Sequence, residues 1–351
     1  MRLNCSVVPP DTPSNAGIAG AGVLLSFIIT AGVALTISTA LVVHDTWGRA
    51  SSSSSSSSSR NSKFPSTADI QPPPAAIATV IGRKLLTSYS DQQILTGIGL
   101  QSVGLAQAAV LVPYHFFLIW LLGLLATAVH NAALLALVHD FGRDRVLRRL
   151  RQALMLVNLL LSCVYGVFVL RGLAARLPPT LPVLCAWTTA QAGARGTAST
   201  LTPPSAAAAA AVAAANPFQY VATLAVIVGN CAVFGLATWY LRGRAQRFYR
   251  VVQMAGLGLM SAVAVGVTVR AVLLSQAFGR PSVPLADTGE RDWSFGQLLS
   301  LLLLLLPLVS MIEIARGEIQ LAPPAQDAAD TETLPLVDRT AMQAAKRSAF
   351  P

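Results

Sequence analysis

The side chains with chemistry to offer are few and widely spaced. The four histidines are His44, His115, His130 and His139. Histidine ligates metals and moves protons near neutral pH. A shared metal ion needs three or four such groups around one point. At ~1.5 Å per residue on one continuous helix, His115 lies roughly 22 Å from His130, and His139 roughly 13 Å from it. These three cannot share an ion, so no metal and no cofactor is expected. The four cysteines, Cys5, Cys163, Cys185 and Cys231, show no CxxC spacing. No Ser-His-Asp constellation or phosphate-cradling glycine loop is present, which argues against an enzyme.

What is unusual is where the polar groups stand. Gln101, Gln107, His130 and Asn131 fall within long apolar runs. A polar group in such a run needs a partner from another segment or a ligand. These four form the candidate polar site. Gln93, Gly97, Gln101, Gly104 and Ala108 share one helical stripe, which reads first as a packing seam and second as a ligand pocket. A histidine at membrane depth is a candidate for function, and the competing reading is that a hydrogen bond to Gln101 or Gln107 satisfies His130 structurally. Gly258, Ala262 and Gly266, four apart, make a second close-contact face. Cys5 and Cys185 are the candidate disulfide. Cys163 and Cys231 lie in apolar runs and read as small apolar fillers.

The elements that must position these groups are membrane spans. The chain has 351 residues, 54% apolar and 11% charged, whereas soluble domains carry ~25% charged residues. A bilayer core takes ~20 apolar residues to cross as a helix. Seven stretches fit, at about 22–43, 94–112, 116–138, 153–170, 221–241, 251–269 and 295–312. The expected fold is all-α: a polytopic bundle of seven transmembrane helices over 22–312. Residues 88–140 are its organising hairpin, with a corner at Pro113-Tyr114-His115. A capping box of Ser90 and Gln93 would start the first helix of that hairpin. Residues 1–21 precede the spans, and 313–351 form a polar tail. The segment 44–90 holds nine consecutive serines and a Pro72-Pro73-Pro74 run, a composition expected to be disordered. The alanine tract 206–215 is either helix or low-complexity filler.

Charge orients the bundle. Of the 25 lysines and arginines, 18 fall in 44–93, 139–152, 242–250 and the tail, and five fall in the N-terminus, 113–115, 174–218 and 275–294. The positive-inside rule then puts the N-terminus outside and the C-terminus in the cytosol. Cys5 and Cys185 share the outer, oxidising side. The net charge of +10 sits in loops rather than in a basic soluble domain, so nucleic acid is not an expected partner. The expected partner is the lipid bilayer, with a small-molecule ligand or a second membrane protein left open. Plasma membrane is the expected location.

Ser90-Asp91-Gln92-Gln93-Ile94-Leu95-Thr96-Gly97-Ile98 resembles an S-D-Q-Q-x-x-T-G-I signature of an uncharacterised family of multi-pass proteins from filamentous ascomycete fungi. Asn15 to Phe27 is similar to the family's N-x-D-I-x-G-I-G-V-x-x-S-F opening, with departures at its Asp and first-Ile-after-Gly positions. The resemblance covers the first three spans and, loosely, the seven-span plan. It carries over no catalytic or ligand residue.

Several functions are excluded by residue type. A retinal protein needs a lysine in its last span, and Lys63, Lys84 and Lys346 all lie elsewhere. Ion-coupled pumps place carboxylates in the bilayer, and no Asp or Glu falls inside the seven stretches. The chain then fits a receptor-like or sensor membrane protein. A structural or scaffolding protein is the alternative, and a small-molecule facilitator the third. A pocket lined by Gln107, His115 and Arg270 would favour the receptor, and tight seams without a cavity the scaffold.

Overall fold

A computed structural model describes residues 5, 7–55, 74–138, 145–187, 206–242 and 249–315. In chain order the helices are α1 (Ala16–Ala19), α2 (Ala21–Ser55), α3 (Pro74–Ala106), α4 (Pro113–Ala136), α5 (Arg145–Ala174), α6 (Ala206–Arg242), α7 (Tyr249–Leu274), α8 (Phe295–Leu302) and α9 (Leu306–Ala315), with a 3₁₀ turn, Leu303–Leu305, between the last two. Apart from one isolated bridge between Thr12 and Leu285, the described elements are all helical.

The organising element is α4. Its sequence is apolar along most of its length, as are the other spans, and it is the one enclosed by its neighbours. Twenty-two of its 24 residues are buried. Five helices ring it, each touching α4 and its two neighbours in the ring: α2, α3, α5, α6, α7 and back to α2. Outside the ring, α8 lies on α2 and α9 on α3.

Five helices are long and apolar enough to cross a membrane: Ala16–Trp47, Pro113–Ala136, Arg148–Ala174, Tyr220–Tyr240 and Tyr249–Leu274. The expected spans at 94–112 and 295–312 do not meet that measure. The α3 helix stops at Ala106, which leaves 94–106 as its apolar part, and the part before it carries Arg83, Lys84 and Asp91. The last stretch is broken by the 3₁₀ turn ahead of Pro307, whose ring and missing N–H interrupt a continuous helix.

Local chemistry corrects three other expectations. The hairpin corner is 107–112, not 113–115, because Pro113 occupies the first turn of α4, where a missing N–H costs nothing. The capping box at Ser90 and Gln93 is not formed: α3 already runs from Pro74, and Ser90 lies in its interior. The segment 44–90 is helical at both ends, through Ser55 and from Pro74 onward; the second end is rich in alanine, leucine, arginine and lysine, which are good helix formers, and the first continues the apolar helix that precedes it. Residues 56–73 lie outside the described residues, as do 188–205 and all of the tail after 315. The alanine tract 206–215 is the start of α6.

One end of the bundle is closed by four segments. Cys5 and Cys185 are joined in a disulfide, with Cα atoms 5.7 Å apart. Val183 N–H donates to the Leu111 carbonyl at 2.8 Å, fastening the segment after α5 to the α3–α4 turn. Thr12 N–H donates to Pro284 O and Ala286 N–H to Thr12 O, fastening the N-terminal segment to 275–294. The Thr180 hydroxyl donates to the Pro9 carbonyl at 2.8 Å. These segments are the ones the charge count grouped on one side of the membrane.

Candidate functional site

Of the four predicted polar residues, no two are joined. Gln101 donates through Nε2 to Asn158 Oδ1 of α5 at 2.8 Å and to the Gly97 carbonyl at 3.1 Å. Asn158 Nδ2 donates to Thr127 Oγ1 on α4 at 3.0 Å, and the Thr127 hydroxyl donates to the Gly123 carbonyl at 2.8 Å. The Tyr165 hydroxyl donates to the Gln101 carbonyl at 2.8 Å. This chain of bonds ties α3, α4 and α5 together. Glycine makes the approach possible: a Cβ on Gly123 would meet the Gln101 amide, one on Gly104 the Tyr165 hydroxyl, and one on Gly97 the Asn158 amide. The α3 stripe is therefore a packing seam.

His130 is 1% exposed, and neither ring nitrogen has a hydrogen-bond partner among the described residues. The bond to Gln101 or Gln107 that would satisfy it structurally does not form. Gln101 is taken by Asn158, and Gln107 lies exposed in the α3–α4 turn. Asn131 Nδ2 lies 3.4 Å from the Met260 sulfur of α7, a weak acceptor.

The Ser-Asp-Gln-Gln stretch acts as a clamp. Asp91 receives Arg151 of α5 in a forked ion pair, with Nε 2.8 Å from Oδ1 and Nη2 2.6 Å from Oδ2. Gln93 Nε2 donates to the Phe27 carbonyl of α2 at 3.2 Å. These two side chains hold the middle of α3 to its ring neighbours α5 and α2.

The strongest polar cluster lies under the closed end, at a residue with no signal in sequence. Glu290 is 0% exposed, although it stands in a polar loop. Its Oε1 is 2.7 Å from His115 Nε2, and its Oε2 accepts the Tyr114 hydroxyl at 2.8 Å. The Tyr114 oxygen in turn accepts the Gln276 N–H at 2.9 Å. Gln276 Nε2 donates to the Asp287 carbonyl, and Arg291 Nε donates to the Gln276 carbonyl. At the loop surface, the Ser14 hydroxyl and then the Gly289 N–H hold the Asp287 carboxyl below its ordinary range. Gln297 extends the joint: its Oε1 accepts Gly22 N–H at 3.1 Å. Gly20 and Gly22 are needed there, because a Cβ on either would collide with Gln297.

Beside this cluster opens a cavity of about 870 Å³, walled by α4, α5, α6 and α7. Phe116, Phe117, Trp120 and Phe168 line its apolar wall, and Arg176 and Arg270 are its charged residues. The Arg270 guanidinium rests 5.4 Å from the centre of the Phe117 ring. Tyr114 belongs to both the cavity lining and the Glu290 cluster. The Gly258-Ala262-Gly266 stripe is not the contact face expected. A Cβ at Gly258 or Gly266 would meet nothing, and Ala262 and Gly266 line the cavity, where small side chains leave the room. The close contact on α7 is instead Gly256 against Leu135. A second cavity, about 380 Å³, lies between α2, α3 and the α8 region, and Gln92, Gln93 and Gln107 line it. Gln107, His115 and Arg270 thus occupy three separate places.

Sequence reasoning missed Glu290, Asn158 and the cavity. Asn158 carried a signal, an amide inside an apolar run. Among the described residues, no three His, Cys, Asp or Glu side chains converge as metal ligands. Comparison with protein-family models, curated proteins and solved structures finds no match to this chain.

Proposed function

We propose that this chain is a receptor-like membrane protein that takes a small molecule into the cavity between α4, α5, α6 and α7. The observation that carries this is the shared residue Tyr114. Tyr114 lines the cavity, and its hydroxyl is held by Glu290 and Gln276 of the capping loop. A ligand that shifts Tyr114 would alter the hydrogen bonds that seat that loop. The volume of about 870 Å³ falls in the range of small-molecule sites, ~300–1,000 Å³. The proposed topology is seven spans in the plasma membrane, with the disulfide end outside, as the charge bias favours. Here α3 and the broken α8–α9 stretch supply the two further crossings.

A scaffold is the second reading. It is favoured by Gly258, which is exposed on α7 with open space beside it, as a seam for another helix would be.

Native mass spectrometry of the protein from mild detergent, with Gly266→Trp as the cavity-filling control, separates the two. A defined small mass retained by the native chain and lost in the variant supports the receptor. A second copy or another chain at fixed stoichiometry, with no small mass retained, overturns it in favour of the scaffold.

A further inference from the structure

We infer that the ligand is a single-chain amphiphile with an anionic head, of the long-chain carboxylic acid class. This rests on the cavity reading above and names what the cavity is shaped and charged to hold.

The charge of the lining is one-sided. Arg176 and Arg270 are among its residues and no Asp, Glu or Lys is. Neither arginine forms an ion pair with a carboxylate among the described residues. Both are exposed, so neither is spent in packing. The Phe117 ring beneath Arg270 favours a cation over its face and so holds the guanidinium at the cavity. Guanidinium offers paired N–H donors matched to a carboxylate. A neutral ligand would leave both unused, and a cation would be repelled.

The shape sets the tail. Both arginines stand at the end that carries the disulfide. Arg176 follows α5 directly and precedes Val183, and Arg270 is level with Phe117 in the second turn of α4. From Pro113 at that end to Leu124, the α4 wall spans eleven residue steps, ~16 Å at 1.5 Å per step. That matches the ~15 Å of hydrocarbon in one leaflet. Away from the arginines the wall is mainly Leu, Val, Phe and Trp. The head end is bordered by Leu177, Pro179, Val183 and Ser282 from the capping segments. That border suits a compact carboxylate and crowds a phospholipid headgroup.

The test uses the full chain in phosphatidylcholine nanodiscs, with palmitate as probe and hexadecanol as its uncharged twin. Palmitate is expected to bind saturably at one site. Arg270→Gln and Arg176→Gln should each weaken it by about tenfold, the loss of one charge-assisted contact. Arg270→Lys should retain part of the affinity, and hexadecanol should bind weakly and show no dependence on either arginine. The Cys5–Cys185 disulfide, intact by non-reducing electrophoresis, checks that each variant has folded. Equal binding of palmitate and hexadecanol, both blocked by Gly266→Trp, overturns the anionic head while the cavity reading stands. No binding of either probe, with no small mass retained by the native chain, overturns both. Loss of palmitate binding when phosphatidylglycerol replaces phosphatidylcholine overturns the free acid in favour of a bilayer lipid.

Discussion

His115 Nε2 and Glu290 Oε1 stand 2.7 Å apart across 175 residues of chain, both side chains buried. This contact seats the 275–294 loop on the first turn of α4. Removing one partner strands the other, and the cost of an unsatisfied buried group exceeds the value of the bond itself. Glu290→Ala is therefore expected to destabilise the protein by about 3 kcal/mol, and Glu290→Gln by less, since an amide still accepts one bond. Thermal unfolding in detergent measures both, and a double-mutant cycle with His115→Phe isolates the pair. An unchanged melting temperature in Glu290→Ala would remove this joint from the account of the fold.

Gln101 and Asn158 should behave as one unit. Interhelical hydrogen bonds in membrane bundles contribute ~0.6 kcal/mol on average and rarely above ~1.7. Gln101→Leu and Asn158→Leu are each expected to cost about 1 kcal/mol, and the double variant clearly less than their sum. Strict additivity would mean that the bond contributes nothing. Gly123→Leu is expected to be worse than either, because its side chain must displace Gln101.

His130 invites the opposite result. Both ring nitrogens are buried without a partner among the described residues, so the imidazole is desolvated with no return. His130→Leu should leave stability unchanged or raise it by up to ~1 kcal/mol, and leave ligand retention in native mass spectra intact. Loss of a retained mass in this variant, with folding preserved, would restore His130 to the functional site.

The adjacency of α5 and α6 can be read chemically. The Cys163 and Cys231 sulfurs lie 3.8 Å apart. Mercuric ion is expected to bridge them in the intact protein. Trypsin cleavage after Arg195, beyond Cys185 so that the Cys5–Cys185 disulfide stays on one side of the cut, should then give fragments carrying Cys163 and Cys231 that stay joined until a thiol is added. Fragments that separate without thiol would contradict the ring order around α4.

The disulfide closes a large loop, with Cys5 and Cys185 separated by 180 positions in sequence. Loop-closure entropy in the unfolded chain makes such a link worth about 2–4 kcal/mol. Reduction, or Cys185→Ser, should lower the unfolding temperature and free the N-terminal segment to proteolysis. No change in either measurement would show that the Thr12 and Thr180 hydrogen bonds suffice to hold that segment.

Local chemistry alone determined much of this protein. Apolar runs without charges had to become helices in a bilayer, because lipid offers backbone groups no other partner. The apolar run 116–138 was legible as a span, but its place at the centre of the ring was not, because lipid covers an apolar face as well as protein does and spans of equal hydropathy lie outside it. Gly97, Gln101 and Gly104 were legible as a seam from their spacing. What the tertiary structure decided was the partner of each polar group. Gln101 meets Asn158 and not His130 because the rotation of α3 and α5 about α4 sets which faces meet, and no residue encodes that rotation locally. The same holds for the Gly258 stripe: Ala262 and Gly266 border a cavity and Gly258 faces open space, although their spacing reads as a contact face. Glu290 is the clearest case. In sequence it is one acid in a polar loop, where solvation is the rule. It is buried only because the start of α4 offers Tyr114 and His115 together, and that meeting exists only once segments 175 residues apart have closed over one another.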